Sequence, residues 1–65
     1  MESLTLLADE ISNIENRVTD AIFTALREQV RGEGAEEAKE LERRLAKVRR
    51  SLQKAEMLLR GASDD

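Results

Sequence analysis

Apolar residues recur at intervals of three and four along two stretches of this chain. In the first stretch Leu4, Leu7, Ile11, Ile14 and Val18 follow a 3-4-3-4 spacing, and Ile22, Ala25 and Gln29 continue the same face. At about 100° per residue such positions stay within one narrow stripe of a helix. Asp9, Asn13, Asn16, Asp20, Arg27 and Arg31 fall opposite, on a solvated side. The second stretch is cleaner. Ala38, Leu41, Leu45, Val48, Leu52, Ala55, Leu59 and Ala62 form an unbroken heptad repeat, with Ala38, Leu45, Leu52 and Leu59 at its a positions.

The ends of both stretches carry helix-terminating chemistry. Ser3 or Thr5 can cap the first helix, and Glu2, Asp9 and Glu10 suit the positive end of its dipole. Arg31-Gly32-Glu33-Gly34 interrupts the pattern. Gly32 fits the left-handed position that ends a helix, and Gly34 or Glu33 then opens the next one. Glu36, Glu37, Glu40 and Glu42 load the start of the second helix, and Arg60 sits near its end, both favourable to the dipole. Glu40–Arg44 and Glu56–Arg60 are four apart in the favoured orientation. The tail Gly61-Ala62-Ser63-Asp64-Asp65 is expected to fray.

Heptad phase decides between one rod and a hairpin. The first stripe places its a positions at residues 4, 11, 18 and 25, which extrapolates to 32 and 39, whereas the second stretch has its a position at 38. The registers are offset by one residue, as for two helices whose faces are set separately. Short connections join antiparallel neighbours. The pattern predicts a single all-α domain over residues 1–65, an antiparallel, coiled-coil-like two-helix hairpin: helix 1 over about 4–31, a turn at 32–34, helix 2 over about 35–60. Its seam is expected to hold Leu7, Ile11, Ile14, Val18, Leu41, Leu45, Val48, Leu52 and Leu59.

A hairpin buries one seam per helix and leaves apolar side chains over. Ile22, Phe23, Leu26 and Val30 widen the first stripe towards the loop, Met57 and Leu58 widen the second near its C-terminus, and Leu6 lies off the main stripe. Ile22, Phe23, Leu26, Val30, Met57 and Leu58 are therefore the candidates for a second interface. Phe23, about 140° from the stripe centre, suits an interface better than the core. A homodimeric four-helix bundle would cover this surface, and so would a helical partner. Gln29, within the stripe, is either solvated or a polar residue that sets register.

Composition narrows the chemistry. The chain has 65 residues, no Cys, His, Trp, Tyr or Pro, and a single aromatic residue. That leaves no disulfide framework, no thiolate or imidazole metal ligands, and only carboxylates, Lys and hydroxyls for acid–base work. An enzyme, a metal and a cofactor are not expected. So short a chain has little core of its own, so part of its stability should come from a partner or a second copy. The charge balance is 11 basic against 14 acidic residues, net −3, which argues against a dedicated nucleic-acid binder. There is no run of 18 apolar residues and no signal-peptide pattern at the N-terminus, so a cytoplasmic protein is expected. Eight Arg against three Lys, with frequent Ala, hint at a GC-rich bacterial genome.

Three clusters carry a functional and a plainer reading. Glu33, Glu36, Glu37, Glu40 and Glu42 could form a metal site, but bundle di-metal centres pair Glu with His, and a solvated helix start is the better account. Arg43, Arg44, Lys47, Arg49, Arg50 and Lys54 run without an acid between residues 43 and 55. Arg43, Lys47, Arg50 and Lys54 share the outer face and are the candidates for a homodimeric RNA- or DNA-binding surface, although no aromatics are interleaved for base stacking. Arg44 and Arg49 flank the seam, where Glu10, Glu15 or Glu28 can meet them. Gly32 and Gly34 lack the preceding strand of a phosphate loop, and the turn reading is preferred.

In layout the chain resembles the small co-chaperones of bacterial type III secretion needle proteins, helical hairpins of about this length with an Arg-Gly turn after the first helix, as at Arg31-Gly32. The resemblance implies a non-enzymatic protein that pairs with a helical-repeat chaperone and helps keep a needle subunit from polymerising in the cytoplasm. It implies that Ile14, Val18, Leu41, Leu45, Val48 and Leu52 form the hairpin seam and that Phe23, Leu26, Val30 and Leu58 are free for the partner.

Overall fold

A computed structural model of the chain describes residues 3–32 and 34–63. The expectations placed on Glu2, on Glu33 in the turn, and on Asp64 and Asp65 in the tail lie outside the described residues. Helix α1 spans Leu4–Arg31 and helix α2 spans Ala35–Ser63. They lie antiparallel, side by side, as an all-α hairpin 49 × 14 × 14 Å across its Cα atoms.

The caps follow from local chemistry. Ser3 takes the N-cap with extended backbone (φ −72°, ψ 129°), and its hydroxyl accepts from the Leu6 N–H at 3.5 Å. Its carbonyl accepts from the Leu7 N–H at 3.2 Å. Thr5 lies inside the helix. The first turn of α1 holds no acidic residue; Asp9 and Glu10 stand a turn further in, beyond the reach of the terminal dipole, so their expected role there is corrected. At the other end Gly32 adopts φ 87° and its N–H donates to the Gln29 carbonyl at 3.2 Å. Gly34, at φ 62°, starts α2 by accepting from the Ala38 N–H at 2.9 Å. Both glycines occupy the left-handed region, where a Cβ is strained.

Helix α2 runs three residues past the expected boundary at 60. A single glycine in a helix costs about 1 kcal/mol relative to alanine, and with no proline to stop it the ladder passes Gly61 and continues to Ser63.

The seam departs from the apolar stripe. The positions drawn in between the helices are Ala8, Ile11, Glu15, Val18, Ile22, Ala25 and Gln29 on α1, with Ala38, Glu42, Leu45, Leu52, Glu56 and Leu59 on α2. On α2 and on the first half of α1 this line shares alternate positions with the stripe but is rotated from it by about 50°, taking 3.6 residues per turn; from Val18 onwards the two coincide on α1. Leu7, Ile11, Val18, Leu45, Leu52 and Leu59 are half-buried, as expected of seam residues. Ile14, Leu41 and Val48, also expected there, are 44%, 50% and 46% exposed and stand at its edge. The small residues supply the reason. Ala8, Ala25 and Ala38 are the buried hydrophobic residues among those described, and such side chains let two helix axes approach more closely than leucines do.

Candidate interaction surface

Rotation of the seam in the same sense on both helices has a geometric result. In an antiparallel pair, residues displaced in that sense emerge on one side of the hairpin. Leu7, Ile14, Ala21 and Glu28 from α1 therefore join Leu41, Val48, Ala55 and Ala62 from α2. At the loop end the two rows meet in one groove lined by Ala21, Ala25, Ala38 and Leu41, with Thr24, Glu28, Gly34 and Glu37 around them. The opposite side carries Thr5, Ser12, Thr19 and Leu26 with Lys39, Ala46, Gln53 and Arg60 at the equivalent register, and is mainly polar. The hairpin is a slab two helices wide with one apolar side.

The six residues expected to form the second interface do not form one surface. Ile22 turns into the seam and is half-buried, because it sits on the rotated contact line. Phe23, Leu26 and Val30 form an exposed patch on the outer side of α1 near the loop, with Asp20, Thr24 and Arg27 beside them; Val30 is 88% exposed. Met57 and Leu58 are both exposed. Being adjacent in a helix, they point about 100° apart. They therefore fall on opposite flanks of α2, at the end of the hairpin away from the loop.

The basic residues of α2 lie outwards. Arg43, Lys47 and Arg50 line one shallow surface with Glu40, Glu42 and Arg44, and Lys54 follows a turn further along. Arg44 is held by Glu40 at 3.2 Å within its own helix, not by an acid across the seam. Among the described residues no ion pair engages Arg43, Lys47, Arg50 or Lys54. Glu36, Glu37 and Glu40 are exposed around the first turns of α2, and no acidic group among the described residues is arranged to hold a metal ion.

Polar chemistry inside the seam was not legible in the apolar stripe. Near the open end Arg60 donates from Nε to Glu56 at 2.7 Å and from Nη2 to Asp9 across the helix pair at 3.1 Å. The Glu56 carboxyl meets that of Glu15 on α1. Glu15 Oε2 is buried with no donor of its own, so a proton shared between the two carboxyls fits there. The hydrogen bond to Glu56, then burial, then the neighbouring negative charge raise Glu15 above its ordinary value, with the Arg49 and Arg60 charges opposing. Glu56 is lowered by the same hydrogen bond and by Arg60. Arg60 is raised by its bonds to Glu56 and Asp9. At the loop end Gln29 Nε2 is buried without a partner. The signal that finds Glu15 is a second 3-4 series, 8-11-15-18-22-25-29, whereas Gln29 already lies in the first stripe.

Neither helix, over the described residues, is long and apolar enough to cross a membrane. Comparison of the chain with protein-family models, curated proteins and solved structures finds no match.

Proposed function

We propose that this protein acts by binding helices and performs no chemistry of its own. It is an adaptor or co-chaperone of the bacterial cytoplasm that associates with itself when alone and with a helical partner in use. One observation carries the reading: the described residues bury only alanines as a hydrophobic core, while Ile14, Phe23, Leu41, Val48, Met57 and Leu58 stay exposed. Apolar side chains left outside so thin a core are what another helix would cover. The Arg-Gly turn and hairpin layout support the narrower form, a co-chaperone of type III secretion needle subunits paired with a helical-repeat protein. Thermal melts followed by far-UV circular dichroism over a 100-fold range of protein concentration test the reading. A melting temperature that climbs with concentration is expected. A sharp transition independent of concentration overturns self-association.

A second reading is favoured by one feature, the four basic side chains on the outer face of α2 that no described acid engages. A homodimer would present two such faces to RNA or DNA. Retention on nucleic acid that weakens steeply with salt and disappears on replacing Arg43, Lys47, Arg50 and Lys54 by Ala is its expected signature. Absence of retention at low salt removes it.

A further inference from the structure

We infer that the apolar side carrying Ile14, Leu41 and Val48 is the contact surface for a second copy of this chain, which closes a four-helix bundle. This rests on the self-association proposed above and assigns it a surface. The distribution of bulk argues for a copy of the same chain. Leu7 and Ile14 place large side chains on α1 towards the open end, and Leu41 and Val48 place them on α2 from mid-length to the loop. Ala21 and Ala55 occupy the other diagonal, with Glu28 beyond Ala21 at the loop end. A two-fold axis lying in the contact plane, either along the helices or across them, sets each large corner over an alanine corner of the copy. The surface is complementary to itself, the requirement of an isologous interface.

Area and charge agree. A side measuring 49 × 14 Å presents about 700 Å², close to the roughly 800 Å² per partner of a standard stable interface. Charges at its rim balance although the chain as a whole is net −3. Glu10 and Arg17 flank Ile14 four residues before and three after, and Glu37 and Arg44 flank Leu41 at the same offsets. Residues at those spacings are helix neighbours; Glu28 and Arg31, paired at 3.8 Å, add a further acid and base from α1, so acids and bases on this rim are equal in number. The Phe23–Val30 patch has neither property. It lies on one helix only, at one end, and offers far less area than the full side.

Sedimentation velocity on the full chain, with far-UV circular dichroism on every variant, tests the assignment. The unaltered chain is expected to sediment as a dimer. The double variant Ile14→Glu/Val48→Glu should weaken dimerisation by about 100-fold or more, because each substitution buries a carboxylate in both halves of the contact. Phe23→Glu/Val30→Glu should leave it unchanged. A dimer abolished by the Phe23/Val30 changes and kept by the Ile14/Val48 changes overturns the surface while leaving self-association standing. A chain monomeric at every concentration overturns both and leaves the side for another protein. Because a Glu substitution also acts on helicity, single-cysteine chains supply an independent reading. The natural chain has no Cys, so maleimide labelling of Val48→Cys should slow as protein concentration rises, while that of Phe23→Cys should not. The reverse order overturns the assignment.

Discussion

Arg60 joins Asp9 across the open end of the hairpin, Nη2 to Oδ1 at 3.1 Å, while its Nε holds Glu56 one turn back on its own helix. One guanidinium thus ties the two helices where the chain is furthest from its turn. Lysine, with a single nitrogen, cannot repeat both contacts in that geometry. Both side chains of the cross-helix pair are substantially exposed, and exposed ion pairs contribute little. Arg60→Ala should therefore lower the melting temperature by no more than about 5 °C. Arg60→Lys should recover only part of it, and about 1 M salt should shrink the difference in thermal melts.

The Glu15–Glu56 pair makes stability depend on pH in a specific direction. A carboxyl raised on folding, as at Glu15, contributes stability that is complete below the ordinary glutamate range of about 4.3 and is lost as pH climbs through its folded value. Glu56, lowered on folding, does the reverse, and its contribution is lost as pH falls through its own folded value. Melting temperature should peak in mildly acid solution, where the pair holds one proton. Glu15→Gln supplies a permanent N–H donor to Glu56. It should raise the melting temperature at neutral pH and flatten the fall above the ordinary glutamate range. An unchanged pH profile in that variant would falsify the shared proton.

Two glycines should respond with opposite signs. Gly32 at φ 87° has open space around it, yet its backbone disfavours a side chain, so Gly32→Ala should cost about 1–2 kcal/mol. Gly61 lies within α2, and an added Cβ there meets nothing within 4 Å. Gly61→Ala should stabilise by up to about 1 kcal/mol. Urea titrations of the two variants check both signs.

Gln29 offers a third substitution. Its Nε2 is buried without an acceptor near the loop end of the seam, and such a group costs about 1–3 kcal/mol. Gln29→Leu should raise stability by roughly 1 kcal/mol in the same titrations. Destabilisation would show that the amide fixes the register of the helices.

These substitutions fall on features of unequal legibility. Helix α1, its Gly32 stop and the hairpin itself can be read from the 3-4 spacing, from a glycine between two offset registers, and from matched lengths. Those signals are local or depend on phase alone. The depth of Ile14, Leu41 and Val48 cannot be read that way. A stripe is centred by hydrophobicity, whereas a seam is centred where backbones come closest, and here alanines at 8, 25 and 38 set that line. Glu15, Glu42 and Glu56 then enter positions that composition would assign to solvent. The Phe23–Leu26–Val30 patch was legible because its residues lie within one turn or two of each other. Met57 and Leu58, also expected at an interface, follow from the antiparallel layout as open-end residues, but the flank of α2 that each one takes depends on where the seam is centred.

The short turn also determines how the molecule yields to force. Both ends of the hairpin leave from one place, so tension applied through them pulls the helices apart like a zipper, one pair at a time, and does not shear the whole seam at once. Rupture should begin at Asp9–Arg60, pass Glu15–Glu56, and finish at the groove that Ala25 and Ala38 line near the glycines, at forces well below those needed when the same helices are gripped at opposite ends.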